Sequence, residues 1–298
     1  MLDRASTFSD KDIIATLKTR FIPVALDQAY QRRQRDTEGD FYRKIAGQGP
    51  RDDFNETTQG LYVAGPDGLL LGFSNHRGAD RIKRMLQASL DQFEPGEAAV
   101  LQPGKADPRY HPTLPEGGLV IRVQAKVLDG YEATDNRWRQ IFQSAVSRDN
   151  LWVTQEEHKA LVKGEFPKSL QWRVARFHLV DNTRGEPPMW RKQEVRKMDL
   201  ELTVGSVIGE VRLETASGDR GYEAQLAGTV EVQEGKVTRF DLVSKGDFWG
   251  EGRYTRNGPK GRFPLGISFT LADGSDIADG IPPQGSRGWV EGYLQDSR

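Results

Sequence analysis

The run Arg176-Phe177-His178-Leu179-Val180-Asp181-Asn182-Thr183-Arg184-Gly185-Glu186-Pro187-Pro188-Met189-Trp190 gathers a histidine, carboxylates, arginines and a tryptophan between apolar flanks. A histidine changes charge near neutral pH, which makes His178 a candidate acid or base. Asp181 would orient it, and Arg184 would clamp an anion with two parallel N–H groups. The plainer alternative has Asp181 and Asn182 capping a turn while Arg184 pairs with Glu186. A second run, Lys245-Gly246-Asp247-Phe248-Trp249-Gly250-Glu251-Gly252-Arg253-Tyr254, sets glycines around Trp249, where a ligand or another backbone can come close. Asp247 and Glu251 are a candidate carboxylate pair there, and Arg253 a candidate anion partner. Its alternative is a core tryptophan at a barrel corner beside a cross-strand ion pair. The candidate catalytic residues are thus His178, Asp181 and Glu251, and the candidate ligand-binding residues are Arg184, Trp190, Asp247, Trp249 and Arg253.

Composition removes several chemistries. The chain has 298 residues and no cysteine, so disulfides, thiolate metal ligands, a cysteine nucleophile and dithiol redox chemistry are excluded. The four histidines, His76, His111, His158 and His178, form no H-x-H, H-E-x-x-H or i, i+4 pair, so no metal site is expected. The Asp273-Gly274-Ser275-Asp276 and Asp279-Gly280 cluster lacks EF-hand spacing. No nucleophile elbow, Walker loop or dinucleotide fingerprint is present, and no cofactor is expected. Lys+Arg (42) balances Asp+Glu (43) without a long basic stripe, which argues against a nucleic-acid partner. No apolar run nears the roughly 18 residues of a membrane span. Met1-Leu2-Asp3-Arg4 carries no signal-peptide apolar region, so the compartment stays open between cytoplasm and a periplasmic or secreted setting reached with a removed signal.

These residues need elements to hold them. Residues up to 93 alternate helix and strand: a helix capped by Ser9, a short strand at Phe21-Ile22-Pro23-Val24-Ala25-Leu26, and a polar helical stretch from Gln28 to Gln48. Pro23 confines that strand to an edge or a late start. Gly60–Ala64 and Leu69–Phe73 flank the turn Gly65-Pro66-Asp67-Gly68, a well-specified hairpin. Ile82, Met85, Leu86, Ser89, Leu90 and Phe93 fall on one helical face. Residues 94–118, rich in proline and glycine, read as a linker or arm. Leu119–Leu128 alternates as a half-buried strand, and helices follow around Trp138, from a Thr154–Glu157 capping box, and over Pro167 to His178. From 198 the pattern turns to strands: 200–204, 207–213, 222–232, 237–243, 249–254 and 263–271, a meander or barrel, with an irregular tail from 273. The fold class is α+β: an N-terminal unit over 1–93, the arm at 94–118, and an α+β domain over 119–298 with a mainly antiparallel sheet.

The stretch Thr7-Phe8-Ser9-Asp10 through Phe21-Ile22-Pro23-Val24 to Asp27, with the Pro66-Asp67-Gly68 hairpin and the helix ending at Phe93, resembles the thioredoxin-like superfamily over residues 5–93. The resemblance implies a partial α/β unit of that family and is degenerate in its active part. The family's Cys-x-x-Cys and its preceding strand have no counterpart here, and Thr57-Thr58-Gln59 stands where the family carries a cis-proline. No functional residue carries over, and redox activity is not implied. The expected function is non-redox binding of a small anionic ligand or a protein partner. A hydrolase- or lyase-type enzyme is one alternative, its site where the 176–190 loop meets the 247–253 strand. The other is an assembly subunit that grips a neighbour through the proline-rich arm and the tail.

Overall fold

The computed structural model describes residues 2–102, 104–110, 112–286 and 288–295; His111 therefore lies outside the described residues, as do Pro103 of the arm and the last three residues of the tail. The chain divides into two compact units, one over Asp3–Pro112 and one from Thr113 onward that also takes in the first residues of the chain.

A short helix α1 (Leu2–Ala5) opens the chain. In the Asp3–Pro112 unit, helix α2 (Lys11–Arg20) is capped by Asp10, one residue later than the expected Ser9, because the Asp10 carboxylate accepts from the Asp12 and Ile13 amides at 3.0 and 3.1 Å. Ser9 instead donates to the Ser6 carbonyl within a 3-10 turn. The expected strand at 21–26 does not pair: Phe21 and Asp27 are extended, but nothing between them joins a sheet. The polar stretch after it is two helices, α3 (Gln28–Gln31) and α4 (Thr37–Ala46), broken where Asp36 caps α4 on the Gly39 amide. Strands β1 (Leu61–Ala64) and β2 (Leu70–Ser74) form the hairpin, with Gly68 at φ +85 taking the left-handed position. Helix α5 (Ala79–Gln92) lays Ile82, Leu86 and Ser89 inward, and its core is Ile13, Val63, Ile82 and Leu86. Phe93, at the end of that stripe, is left exposed. The arm after α5 folds back on its own unit: Ala99 N–H reaches the Pro66 carbonyl, Asp107 N–H reaches the Asp36 carboxylate at 2.7 Å, and Tyr110 meets Tyr30 edge to face.

The second unit is built on a seven-stranded antiparallel sheet, curled into a half-barrel, with strand order β4-β3-β9-β8-β7-β6-β5. The strands are β3 (Leu119–Val127), β4 (Asp149–Val153), β5 (Val195–Thr203), β6 (Ser206–Glu214), β7 (Gly221–Gln233), β8 (Lys236–Trp249) and β9 (Arg262–Leu271). Around them lie α6 (Arg137–Ser144), α7 (Gln155–Val162), α8 (Lys168–Arg173) and α9 (Val290–Gln295). The capping box at Thr154 and Glu157 is present. The segment expected as a strand at 249–254 is not one. β8 runs through to Trp249 and stops at Gly250, whose φ of +85 turns the chain into a loop, so Glu251 and Arg253 sit on that loop. Edge strand β4, buried at every position, lies between the helices expected around Trp138 and from Thr154, with no strand expected there. The tail is docked rather than free: Asn150 donates to the Ala278 and Ile281 carbonyls at 2.7 and 2.8 Å, and Tyr293 of α9 is fully buried.

Candidate functional site

The histidine-bearing run starts on a π-helical turn. After α8 the backbone widens over Val174–His178, closed by the Leu179 amide on the Val174 carbonyl at 3.0 Å. Such turns recur at functional sites because the wider ring re-aims a side chain. Here it drives His178 into the core. Its Nε2 lies 2.7 Å from the Tyr293 hydroxyl, and its Nδ1 lies 3.2 Å from Asp149 Oδ2 without the alignment of a hydrogen bond. Asp149 is held through its other oxygen by the Asn150 and Gln284 amides. Burial pushes the Tyr293 hydroxyl far above a phenol's ordinary value, with Arg173 pulling the other way. The Arg173 guanidinium is 5.5 Å from the Tyr293 ring and forms a buried ion pair with Glu157. Carboxylate, imidazole and phenol therefore stand in a row that is sealed from solvent. The side chain of His178 is 0 % exposed.

Asp181 and Arg184 close on each other at 2.7 Å, each with a side chain 1 % exposed. Thr183 donates its hydroxyl and its amide to Asp181 Oδ1. Arg184 also donates to the Thr255 carbonyl at 2.9 Å and to the Tyr131 hydroxyl at 3.3 Å. The partner of Arg184 is thus Asp181, one turn back, in place of the Glu186 of the plainer sequence alternative. Through these bonds the 181–188 segment meets the loop after β8. Two glycines permit the approach: a Cβ on Gly185 would stand 2.2 Å from the Tyr254 carbonyl oxygen, and one on Gly258 would stand 2.8 Å from the Arg184 guanidinium. Tyr131 is pushed above its ordinary value by burial, and Arg184 opposes that.

Trp190 is fully buried, donates to the Leu179 carbonyl at 2.8 Å, and carries the Arg220 guanidinium 3.8 Å over its ring. Burial lowers Arg220, with Glu194 countering. Trp249 donates to the Gly218 carbonyl at 2.9 Å and lies under Arg262 at 3.9 Å. Asp247 is exposed on β8, opposite Glu223 and Pro264 in the ladder. Glu251 accepts from the Gly258 amide at 2.8 Å, and Arg253 is exposed beside Tyr254. His178, Trp249 and Arg253 each answer to a different set of partners. The partners that sequence reasoning missed are Asp149, Tyr293, Arg173, Glu157, Tyr131, Arg220 and Arg262. A local motif marks Glu157 alone, as the end of a capping box, and that motif says nothing of Arg173; the others are joined to their sites by tertiary packing.

An open concavity of this unit lies elsewhere, at the free edge of the sheet. Between α8 and β5 is a groove of about 320 Å³ lined by Lys168, Ser169, Gln171, Trp172 and the strand residues Val195–Asp199. The Gln171 side chain treats Leu200 as a neighbouring strand would, donating to its carbonyl at 3.0 Å and accepting from its amide at 3.1 Å. Met198 and Leu202, two residues to either side, turn their backbone groups the same way and meet no internal partner among the described residues. The buried Trp172 Nε1 has no acceptor among the described residues. Among the described residues, no helix is long and apolar enough to cross a membrane, and no group of three or more His, Cys, Asp or Glu side chains could hold a metal ion. No family model, curated protein or solved structure matches this chain.

Proposed function

We propose that this chain is a non-catalytic, non-redox binding protein that takes an extended, acidic peptide segment along the edge of β5. One observation carries the reading: the edge already bonds the Gln171 amide in strand fashion at Leu200, yet keeps the Met198 backbone groups and the Trp172 indole N–H unused beside a groove. Strand addition gains affinity from main-chain hydrogen bonds and specificity from alternate side-chain pockets. In the lining Lys168 faces Asp199 at 3.6 Å and Lys197 pairs with Glu210, so Arg196 supplies the cation that suits an acidic partner. The closed pairs around His178 and Arg184 support binding over the hydrolase or lyase alternative, because a general base must reach a substrate proton. For the first unit, the hairpin and helix of β1, β2 and α5 support a thioredoxin-like relationship with the redox chemistry absent.

The test is fluorescence anisotropy with labelled peptides of alternating apolar and acidic residues, set against basic counterparts of the same apolar pattern. The acidic peptides bind. Met198→Pro, which removes an edge N–H, and Arg196→Glu each weaken binding at least about tenfold, a loss of roughly 1.4 kcal/mol. Equal binding of acidic and basic peptides, or none of either, sinks the reading.

A further inference from the structure

The segment joining α2 to α3 is the most exposed apolar stretch of the chain. Ile22 is 91 % exposed, Val24 70 % and Leu26 51 %. Its ends are extended, no residue in it has a positive φ, and Pro23 itself favours an extended Ile22. The backbone of Ile22 to Leu26 makes no hydrogen bond among the described residues. An apolar, extended, unbonded segment is a template for pairing with another chain. The fold nonetheless anchors both its ends: Phe21 packs on the core of its unit, and Asp27 caps α3 on the Ala29 amide at 2.8 Å.

We propose that Ile22–Leu26 pairs antiparallel with the same residues of a second copy of this chain, in the register centred on Val24. Three features select this occupant and register. A strand related to itself by a two-fold axis normal to the sheet must pair residues of like parity, since directly opposed side chains share a face. Centring on Val24 sets Ile22 against Leu26 of the second copy and Val24 against its own equivalent, which joins the three exposed apolar side chains into one ladder. The same register uses the N–H and C=O groups of Ile22, Val24 and Leu26. The N–H that Pro23 lacks belongs to the opposite edge, so proline costs this pairing nothing and disfavours pairing on the other side. Charge selects the orientation: Lys18 and Arg20 precede the segment and Asp27 follows it. An antiparallel pair brings the basic flank of each copy beside the acidic flank of the other, whereas a parallel pair sets like beside like. The inference does not depend on the β5 groove.

The full chain has no cysteine, so a single introduced thiol reports proximity without a background. Sedimentation velocity on the intact protein is expected to give a monomer–dimer equilibrium that Val24→Asp abolishes by opposing two carboxylates across the axis. Under mild oxidation, Val24→Cys should cross-link at least roughly tenfold faster than Ile22→Cys, because paired Cα atoms lie about 5.5 Å apart while equivalent Ile22 positions, offset along the strand as well as across it, lie about 14 Å apart. A mixture of Ile22→Cys and Leu26→Cys chains should cross-link as the heterodimer. A protein monomeric at every concentration overturns the proposal. So do a dimer that survives Val24→Asp and equal cross-linking at all three positions.

Discussion

Arg184 and Arg253 both read in sequence as anion clamps, and their surroundings separate them. Arg184 is sealed with Asp181, the Thr255 carbonyl and the Tyr131 hydroxyl, so truncating it leaves a carboxylate without its counter-charge in the interior. Removing one partner of a buried pair costs about 3–5 kcal/mol. Arg253 stands in solvent, where substitutions stay within roughly 0.5 kcal/mol. Arg184→Ala should therefore shift the denaturant midpoint strongly and Arg253→Ala hardly at all. Similar midpoints for the two variants would contradict the closed pair. The same contrast explains what the sequence conceals: side-chain chemistry is visible in residue type, but whether a charge faces a ligand or a carboxylate depends on partners as remote as Asp149, Tyr131 and Tyr293.

At the scale of elements, the pairing of β7 with β8 depends at its Gly221 end on a missing side chain. A Cβ on Gly221 would lie 2.0 Å from Trp249 Cζ2, and the indole cannot retreat while it donates to Gly218 and carries Arg262. Gly221→Ala should cost about 1–3 kcal/mol through forced displacement of the ring. Gly280→Ala, with no atom within 4 Å and no positive φ, is the control and should be near neutral. Equal melting temperatures for the two would mean the contact is not tight. Elements written in local signals were legible: the Pro66-Asp67-Gly68 hairpin, the stripe of α5, the capping box of α7 and the alternation of β3 and β5 to β9. β4 was not, because a strand buried on both faces has no alternation to read. The 21–26 segment reads as a strand from residue type, but a strand needs a partner, and propensity does not supply one. The end of β8 was missed because Gly250, Glu251 and Gly252 continue a strand-like pattern beyond a residue whose backbone has turned.

At the scale of the whole molecule, each unit has its own apolar core, and in the second unit ion pairs tie the tail to the sheet. Asp279 accepts from Arg122 of β3 at 2.9 and 2.7 Å and from Arg148 at 2.6 Å. The hydrogen bond from Arg122, aided by the charges of Arg122 and Arg148, holds Asp279 below the ordinary carboxylate value against the effect of burial. Asp273 is lowered as well, by the Ser275 hydroxyl and amide and then by Arg122. A carboxylate whose folded pKa lies below its unfolded value of about 4 contributes stability above that pH and loses it as the pH falls through the folded value. The stability gap between the natural chain and Asp279→Asn should therefore be full near neutrality and shrink below about pH 4, read by urea unfolding across the range. A gap that widens on acidification would contradict the assignment.

The burial of Tyr293 has a consequence in time as well as in space. Helix α9 is six residues long, too short to hold itself together, so it depends on the pocket formed by Phe177, His178 and Arg173. That pocket equally lacks its filling until α9 arrives. Synthesis runs from the N-terminus, and domains generally fold in that order as the chain emerges. The half-barrel unit is an exception built into its own core: every strand can be made and paired while the space beside His178 is still open. Its last closing residue leaves the ribosome after all the others, so this unit completes its interior only when synthesis has passed Tyr293.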